Sequence, residues 1–364
     1  MSKRGKILVA MSGGLDSTMA ALMLHEEGYE VVGVTMKTFD YAKSGGSKKE
    51  TGCCNLDTIN DAREVAVRNG FAHYILDIKD EFGKAVIEDF VSEYLSGRTP
   101  NPCVLCNTHV KWDVLLQKAD AMDCEFIATG HYAKKSELNG RHFIQKAVDE
   151  TKDQSYVLWG LRQESIARTI FPLGDLRKTN VREMAVDAGY DAVANKPESY
   201  EICFVPDNDY RGFLKRQVPT LEKKVAGGNF INHEGKILGR HEGFPFYTIG
   251  QRKGLGIALG EPMFVTKIDA EKNVVELGTI DELNRSEMFV HQITWQKYDG
   301  VQHDLAASTK IRYKDKGHSS ILKQASDKVL VHFDEKVAGI APGQSAVFYD
   351  GGDLIGGGRI HSAW

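Results

Sequence analysis

Nowhere in the 364 residues does an apolar run reach the roughly twenty residues needed to cross a bilayer, which excludes a chain threaded through a membrane by helices. Cysteine is sparse. The six residues Cys53, Cys54, Cys103, Cys106, Cys124 and Cys203 are too few and too unevenly spaced to staple a secreted domain of this length. In a reducing compartment such clusters point to chemistry or metal. A surplus of positive charge is missing as well. Against 50 Asp and Glu stand 46 Lys and Arg, a net charge of −4, which excludes tight sequence-blind attraction to polyphosphate and leaves room for a local basic face. The opening MSKRGKILVAM passes from a short basic start straight into a strand, with no signal-type apolar segment, so the cytoplasm is the expected compartment. No internal repeat stands out. No GxxxxGK[ST] string occurs, so γ-phosphate transfer on a Walker loop is not expected.

What is present is ordinary globular composition, 42% hydrophobic and 26% charged, in a chain long enough for two or three cores. The first two hundred residues alternate strand-like runs (KILVAM, EVVGVTM, HYILDI, EFIATG) with helix-like segments. The helices are expected from about Asp16, from about Asn55, after Asp80, over Trp112 to Ala121 and from Thr179. That alternation implies right-handed crossovers and an α/β, doubly wound parallel-sheet domain over residues 1–209. Beyond Tyr210 the pattern becomes Gly-punctuated, with hairpin turns at Asn232 to Gly235 and Asp269 to Asn273, and a small β-rich central domain is expected over 210–283. Short strands (MFVHQITW, STKIRY, KVLVHF, QSAVFY, LIGGGRI) then mark a C-terminal β-barrel over 284–364. Residues Tyr41 to Gly52, rich in Lys, Ser and Gly, read as a mobile loop.

The sharpest local signal is Ser12-Gly13-Gly14-Leu15-Asp16-Ser17, set between the first strand and the first helix. At such a junction backbone N–H groups and the helix N-terminus face an anion, and two glycines let a phosphate come close. Asp16 is suited to help hold Mg²⁺ and Ser17 to bond a phosphate oxygen. The string resembles the PP-loop of the ATP pyrophosphatases, which cut between the α and β phosphates and leave AMP on a substrate oxygen. The expected ATP-binding residues are Ala10, Met11, Ser12, Gly13, Gly14, Leu15, Asp16 and Ser17. Met36 and Gly130 join them from the carboxyl ends of neighbouring strands, where an open sheet places its ligands.

Cys103 and Cys106 follow Arg98-Thr99-Pro100-Asn101-Pro102 in a Pro-constrained loop that leads into a helix expected near His109. A thiol so placed has its thiolate stabilised and its pKa lowered. Cys203, almost a hundred residues away, reads by itself as a structural cysteine in an apolar strand. The ordered motifs SGGLDS, RTPNP with its following CN, ATGHYA, KDQSYVLW, FPLG, ICF, YTIGQRKGLGI, IRY and PGQSAVFYDG run nearly end to end. In that order they resemble the bacterial tRNA-specific 2-thiouridylases.

The resemblance implies ATP-dependent adenylation of the C2 oxygen of the wobble uridine in tRNAs for Lys, Glu and Gln, followed by sulfur transfer. It implies Cys106 as nucleophile and Cys203 as persulfide carrier, with a disulfide between them left to be reduced after each turnover. It also implies contacts with the target base or tRNA from Asn101, Pro102, Cys103, His131, Lys152, Asp153, Gln154, Arg312, Tyr313 and Gln344. Read alone, His131 is a loop histidine and Arg312 a solvated strand residue, although Tyr313 beside Arg312 offers a stacking face next to a cation. Basic stretches at Arg211 to Arg216, Lys223-Lys224, Arg252-Lys253 and Lys310 to Lys316 are candidates for a tRNA-facing surface.

One departure is the cysteine at position 103, where many relatives carry aspartate. The family's acid/base carboxylate has no counterpart there, and Cys103, Cys106 and Cys203 become candidate ligands of a [4Fe-4S] cluster. Rival readings are an amidating PP-loop ligase, an RNA-binding protein with a degenerate loop, and the 4-thiouridine enzymes, whose extra N-terminal RNA-binding domains have no room before the first strand. A sulfur-relay protein or a cysteine desulfurase is the expected persulfide donor, and a monomer bound to one tRNA suffices.

Overall fold

The computed structural model describes residues 4–39, 56–197, 202–205, 208–258 and 260–364. The expected loop from Tyr41 to Gly52 and the Cys53-Cys54 pair lie outside the described residues. The chain divides into two compact units. The first comprises Met1–Val86, Cys103–Asn208 and Gly352–Leu354, and the second Ile87–Pro102, Asp209–Gly351 and Ile355–Trp364.

In the first unit, strands β1 (Lys6–Ala10), β2 (Glu30–Lys37), β3 (Ala72–Asp77), β4 (Phe126–Ala128) and β7 (Thr169–Ile170) form a sheet in the order β3-β2-β1-β4-β7. Every pairing is parallel, with Val9 opposite Gly33 on one side and Ala128 on the other. The reason is visible in β1, whose Ile7, Leu8 and Val9 are fully buried, as both faces of a covered parallel strand must be. Helix α1 (Leu15–Glu26) packs Leu15, Met19 and Leu22 into this core, and α2 (Leu56–Asn69) adds Ala62 and Val65 from one stripe. An antiparallel hairpin that the alternation does not suggest, β5 (Lys134–Leu138) with β6 (Arg141–Gln145), turns on Asn139-Gly140, both at positive φ. Asn-Gly is the sequence that a two-residue hairpin turn prefers.

A second difference bears on the chemistry. Residues Pro102–Leu105 are already helical, Cys106–Lys111 continue as π-helical backbone, and Trp112–Ala121 complete the helix. Cys103 and Cys106 therefore lie within a helix, not in a loop before one. Proline suits the first helical turn, where its missing N–H has no intrahelical acceptor to lose.

In the second unit, strands β8 (Gly228–Ile231), β9 (Ile237–His241), β10 (Phe264–Asp269) and β11 (Val274–Gly278) form a sheet in the order β10-β11-β8-β9. The two expected turns connect β8 to β9 and β10 to β11. A six-stranded barrel follows, from β12 (Asn284–Trp295), β13 (Leu305–Lys310), β14 (His318–Ala325), β15 (Lys328–Ala338), β16 (Ser345–Asp350) and β17 (Asp353–Ala363). Pairing of β12 with both β15 and β17 closes it, which removes exposed sheet edges. Met288, Val290, Leu322, Val331, Phe348 and Ile360 fill it. Strand β14 was not expected from the sequence, and Arg312-Tyr313 fall in the turn after β13. The helix Glu88–Leu95, although early in the chain, belongs to this second unit. Among the described residues no helix is long and apolar enough to cross a membrane.

Candidate active site

The loop after β1 is held by its own hydroxyls. The Ser12 N–H donates to Ser17 Oγ at 3.0 Å, the two serine hydroxyls stand 3.1 Å apart, and Ser17 Oγ donates to the Gly14 carbonyl at 3.2 Å. Gly14 is the N-cap of α1 and brings no side-chain acceptor, so the positive end of this helix faces the loop without a cap. Two glycines are demanded by sterics. Gly13 has φ +71°, and a Cβ there would lie 1.9 Å from the Thr58 carbonyl oxygen; a Cβ on Gly130 would lie 2.7 Å from the backbone of Asp16 and Ser17. Leu15 is buried beneath the loop.

The sheet order brings the ends of β2, β1 and β4 side by side. Ala10 pairs with Val34, the Met11 N–H donates to the Val34 carbonyl at 2.8 Å, and Met36 is half-buried near the end of β2. Thr35 Oγ1 donates to the Met11 carbonyl at 2.7 Å and bonds His73 Nε2 at 2.9 Å, which fixes the start of the loop.

Charge collects around Asp16 and Gly13 in a way the sequence motifs do not reveal. Lys178 Nζ lies 2.7 Å from both carboxylate oxygens of Asp16, and the Tyr132 hydroxyl donates to one of them at 2.9 Å. Lys196 donates to the Gly13 carbonyl at 2.8 Å and pairs with Asp61. Lys178, Tyr132 and Lys196 are the residues that sequence reasoning missed. Lys178 lies in the stretch that opens with FPLG, but nothing in a linear string ties it to a carboxylate 162 residues away.

His131 follows Gly130 and bonds Thr129 Oγ1 through Nδ1 at 2.9 Å, with its ring 5.5 Å from that of Trp112. Burial, with Lys111 adding to it, pushes its pKa down to about 3, so the imidazole is neutral at physiological pH. Asp153 accepts from the Ala147 and Ser155 N–H groups and from Ser155 Oγ, while Gln154 Oε1 accepts from the Tyr132 N–H at 3.0 Å. Gln154 thus braces the segment that carries His131 and Tyr132, Asp153 ties Ala147 to Ser155, and Lys152 beside them is half-buried.

The cysteines differ from expectation in two respects. Cys103 is exposed, with desolvation by the protein around it raising its thiol pKa and Lys111 pulling the other way. Cys203 lies in a turn closed by the Val205 N–H on the Ile202 carbonyl, half-buried, not in a strand. Its neighbour Phe204 is the anchor, 2% exposed and packed edge-on against Phe82 at 5.6 Å. Cys106 is buried at 7% exposure, and Cys103, Cys106, Cys124 and Cys203 are all reduced. Among the described residues no three His, Cys, Asp or Glu side chains are grouped closely enough to hold a metal ion. Cys103, Cys106 and Cys203 thus do not fit a three-thiolate cluster site as they stand. Asp16, a hard oxygen donor at the head of α1, fits Mg²⁺ held together with nucleotide phosphates.

The first unit therefore holds the nucleotide loop, Met36, Cys103, Cys106, Gly130, His131, Lys152, Asp153, Gln154 and Cys203, whereas Asn101, Pro102, Arg312, Tyr313 and Gln344 belong to the second. Arg312 and Tyr313 are exposed in their turn, and Gln344 donates to the carbonyls of Thr99 and Pro100 at 3.2 and 2.7 Å.

Three domain families match the chain: the tRNA methyl transferase HUP domain over residues 5–207, the tRNA methyl transferase PRC-barrel domain over 211–279 and the aminomethyltransferase beta-barrel domain over 285–360. The chain is similar over its whole length to proteins named tRNA-specific 2-thiouridylase MnmA. It is 61% identical to that of Cytophaga hutchinsonii, covering 100% of this chain and 99% of the relative. Identity is 59% with that of Amoebophilus asiaticus (100% and 96% covered) and 53% with that of Salinibacter ruber (99% and 95% covered). With identity of this order over full length, the chain belongs to the tRNA-specific 2-thiouridylase family.

Proposed function

We propose that the protein is an ATP-dependent tRNA sulfurtransferase that converts the wobble uridine of tRNAs for Lys, Glu and Gln to 2-thiouridine. The observation that carries this reading is the company kept within one compact unit: a glycine loop facing an uncapped helix N-terminus, with Asp16 in its first turn, and the two cysteines of the family motifs. The matched domains bear methyltransferase names, but two cysteines in the same compact unit as a PP-loop suit sulfur transfer onto an adenylated oxygen.

In this reading Ala10 to Ser17, Met36 and Gly130 bind ATP, and Asn101, Pro102, Cys103, His131, Lys152, Asp153, Gln154, Arg312, Tyr313 and Gln344 receive the tRNA. Asp16 would hold Mg²⁺, which would neutralise the phosphate charge. The uracil C2 oxygen bonds to the α-phosphorus, the bond from that phosphorus to the bridging oxygen breaks, and pyrophosphate leaves with the electron pair while the N3 proton passes to water. A poor leaving oxygen has become AMP. The terminal persulfide sulfur on Cys203 then adds to C2 and AMP departs. The Cys106 thiolate attacks Cys203 Sγ, and the electrons of the broken S–S bond stay on the sulfur now bonded to C2. The Cys106–Cys203 disulfide that remains returns to two thiols at the expense of a thiol reductant. A neutral His131 fits a hydrogen-bonding role toward the base, not a charged one. The persulfide arrives from a relay protein or a cysteine desulfurase, and the enzyme acts in the cytoplasm as a monomer.

Nucleoside analysis of tRNA from cells with and without the gene tests the function. Selective loss of 2-thiouridine derivatives is expected, and unchanged levels would overturn it.

A further inference from the structure

Lys196 stands 183 residues along the chain from Gly13, yet its ammonium donates to the Gly13 carbonyl at 2.8 Å and pairs with Asp61, a carboxylate on α2. Its place is fixed by the backbone before it. The helix Asp191–Ala194 buries Val193 and Ala194 in the same core as Leu15, the Lys196 N–H donates to the Val193 carbonyl at 3.2 Å, and Arg182 Nε holds the Ala194 carbonyl at 3.0 Å. The ion pair is not what ties α2 to this region. Further along α2, Arg68 donates to the Gly189 and Ala188 carbonyls at 3.0 and 3.4 Å and lies over the Tyr190 ring at 4.4 Å, while Asn69 donates to the Tyr190 hydroxyl at 2.6 Å. Both members of the pair also keep part of their surface in water, 28% and 33% of the side chain, so the pair adds little to stability.

What sets this pair apart is its location. An ammonium carries three donors. One goes to Gly13 and one to Asp61, beside a loop that meets the uncapped N-terminus of α1. An anion entering that loop competes with Asp61 for the same cation. We propose that Lys196 is a phosphate-binding residue with Asp61 as its resting counterion: the β- and γ-phosphates of ATP, the pair that leaves as pyrophosphate, draw the Lys196 ammonium from Asp61 onto a phosphate oxygen. Lys178 on Asp16 supplies one cation at this loop, and Lys196 supplies a second. The proposal deepens the nucleotide-loop reading and rests on it.

The test measures binding of ATP, AMP and inorganic pyrophosphate, each with Mg²⁺, to the full-length protein by calorimetry, for wild type, Lys196→Met and Asp61→Asn. Lys196→Met is expected to weaken ATP and pyrophosphate binding about tenfold or more, with AMP changed by less than about twofold. Asp61→Asn removes the competing charge and should tighten ATP and pyrophosphate binding severalfold. Opposite signs are the signature, because a pair that only propped the loop would lose affinity on either substitution. Weaker ATP binding in Asp61→Asn, unchanged pyrophosphate binding in Lys196→Met, or an equal loss for AMP would each overturn the proposal. Lys196→Gln carries the same readouts should Lys196→Met fail to fold. Wild type that binds neither ATP nor pyrophosphate would sink the nucleotide-loop reading itself, whereas wild-type binding left untouched by both substitutions sinks only the role of Lys196.

Discussion

Lys178 grasps Asp16 with its ammonium 2.7 Å from each carboxylate oxygen, and the lysine side chain is only 9% exposed. A cation already stripped of water beside the phosphate loop needs little reorganisation when pyrophosphate charge develops there. Lys178→Met should therefore cut ATP-dependent pyrophosphate release at least about tenfold. The Asp16 side chain is 34% exposed, so solvent discounts the pairing, and the expected stability loss is about 1–3 kcal/mol by urea unfolding. Tyr132→Phe removes one hydrogen bond to the same carboxylate and should cost about 1 kcal/mol. Wild-type turnover in Lys178→Met would contradict this role.

Gly13 and Gly14 are neighbours with opposite tolerance. Gly13→Ala would force a side chain into left-handed backbone and onto the Thr58 carbonyl, whereas a Cβ on Gly14, at φ −94°, finds only Ser12 Oγ at 3.5 Å. The first substitution should cost more than about 2 kcal/mol and weaken ATP binding severalfold by calorimetry. The second should change stability by less than about 0.5 kcal/mol. Equal stability losses would show that the loop relaxes freely around Thr58.

For His131 the sign of the pH effect follows from burial. The folded protein keeps the imidazole neutral down to about pH 3, while the unfolded chain takes up a proton near the ordinary value of 6.5. The stability this histidine contributes is whole above pH 6.5 and declines as pH falls toward 3. In NMR titrations its ring resonances should stay flat between pH 5 and 8, and His131→Phe should lessen the loss of stability over the acid range. A midpoint near 6.5 for His131 in the folded protein would refute the assignment.

These features were unequally legible in the sequence. SGGLDS announced its place because glycine and a helix-capping context are local chemistry, and β1, β2 and β4 showed themselves as continuous buried runs. Lys178 did not, because a lysine at a helix start looks solvated until its partner from α1 is placed beside it. The helix Glu88–Leu95 sits inside the α/β stretch of the chain, yet clusters with the barrel through Glu93, Arg98 and Arg359, and no periodicity could tell that. Strand β14, His318–Ala325, escaped notice because its Ser-rich run has few of the branched apolar residues that mark strands. The β5–β6 hairpin did carry its signal, Asn139-Gly140, but the expectation of alternating strands and helices masked it. Cys203 reads as strand because Ile202, Phe204 and Val205 are apolar, whereas Phe204 and Val205 are the buried anchors of a turn.

The most direct measurement follows sulfur and AMP together. Purified protein is incubated with ATP, Mg²⁺, unmodified tRNA, a persulfide donor and a thiol reductant, and nucleosides and nucleotides are quantified by mass spectrometry. One AMP should appear for each 2-thiouridine formed. With Cys106→Ser or Cys203→Ser, 2-thiouridine should fall below detection while ATP binding persists. Thiolation at the wild-type rate by either variant would contradict a transfer that runs through those two sulfurs.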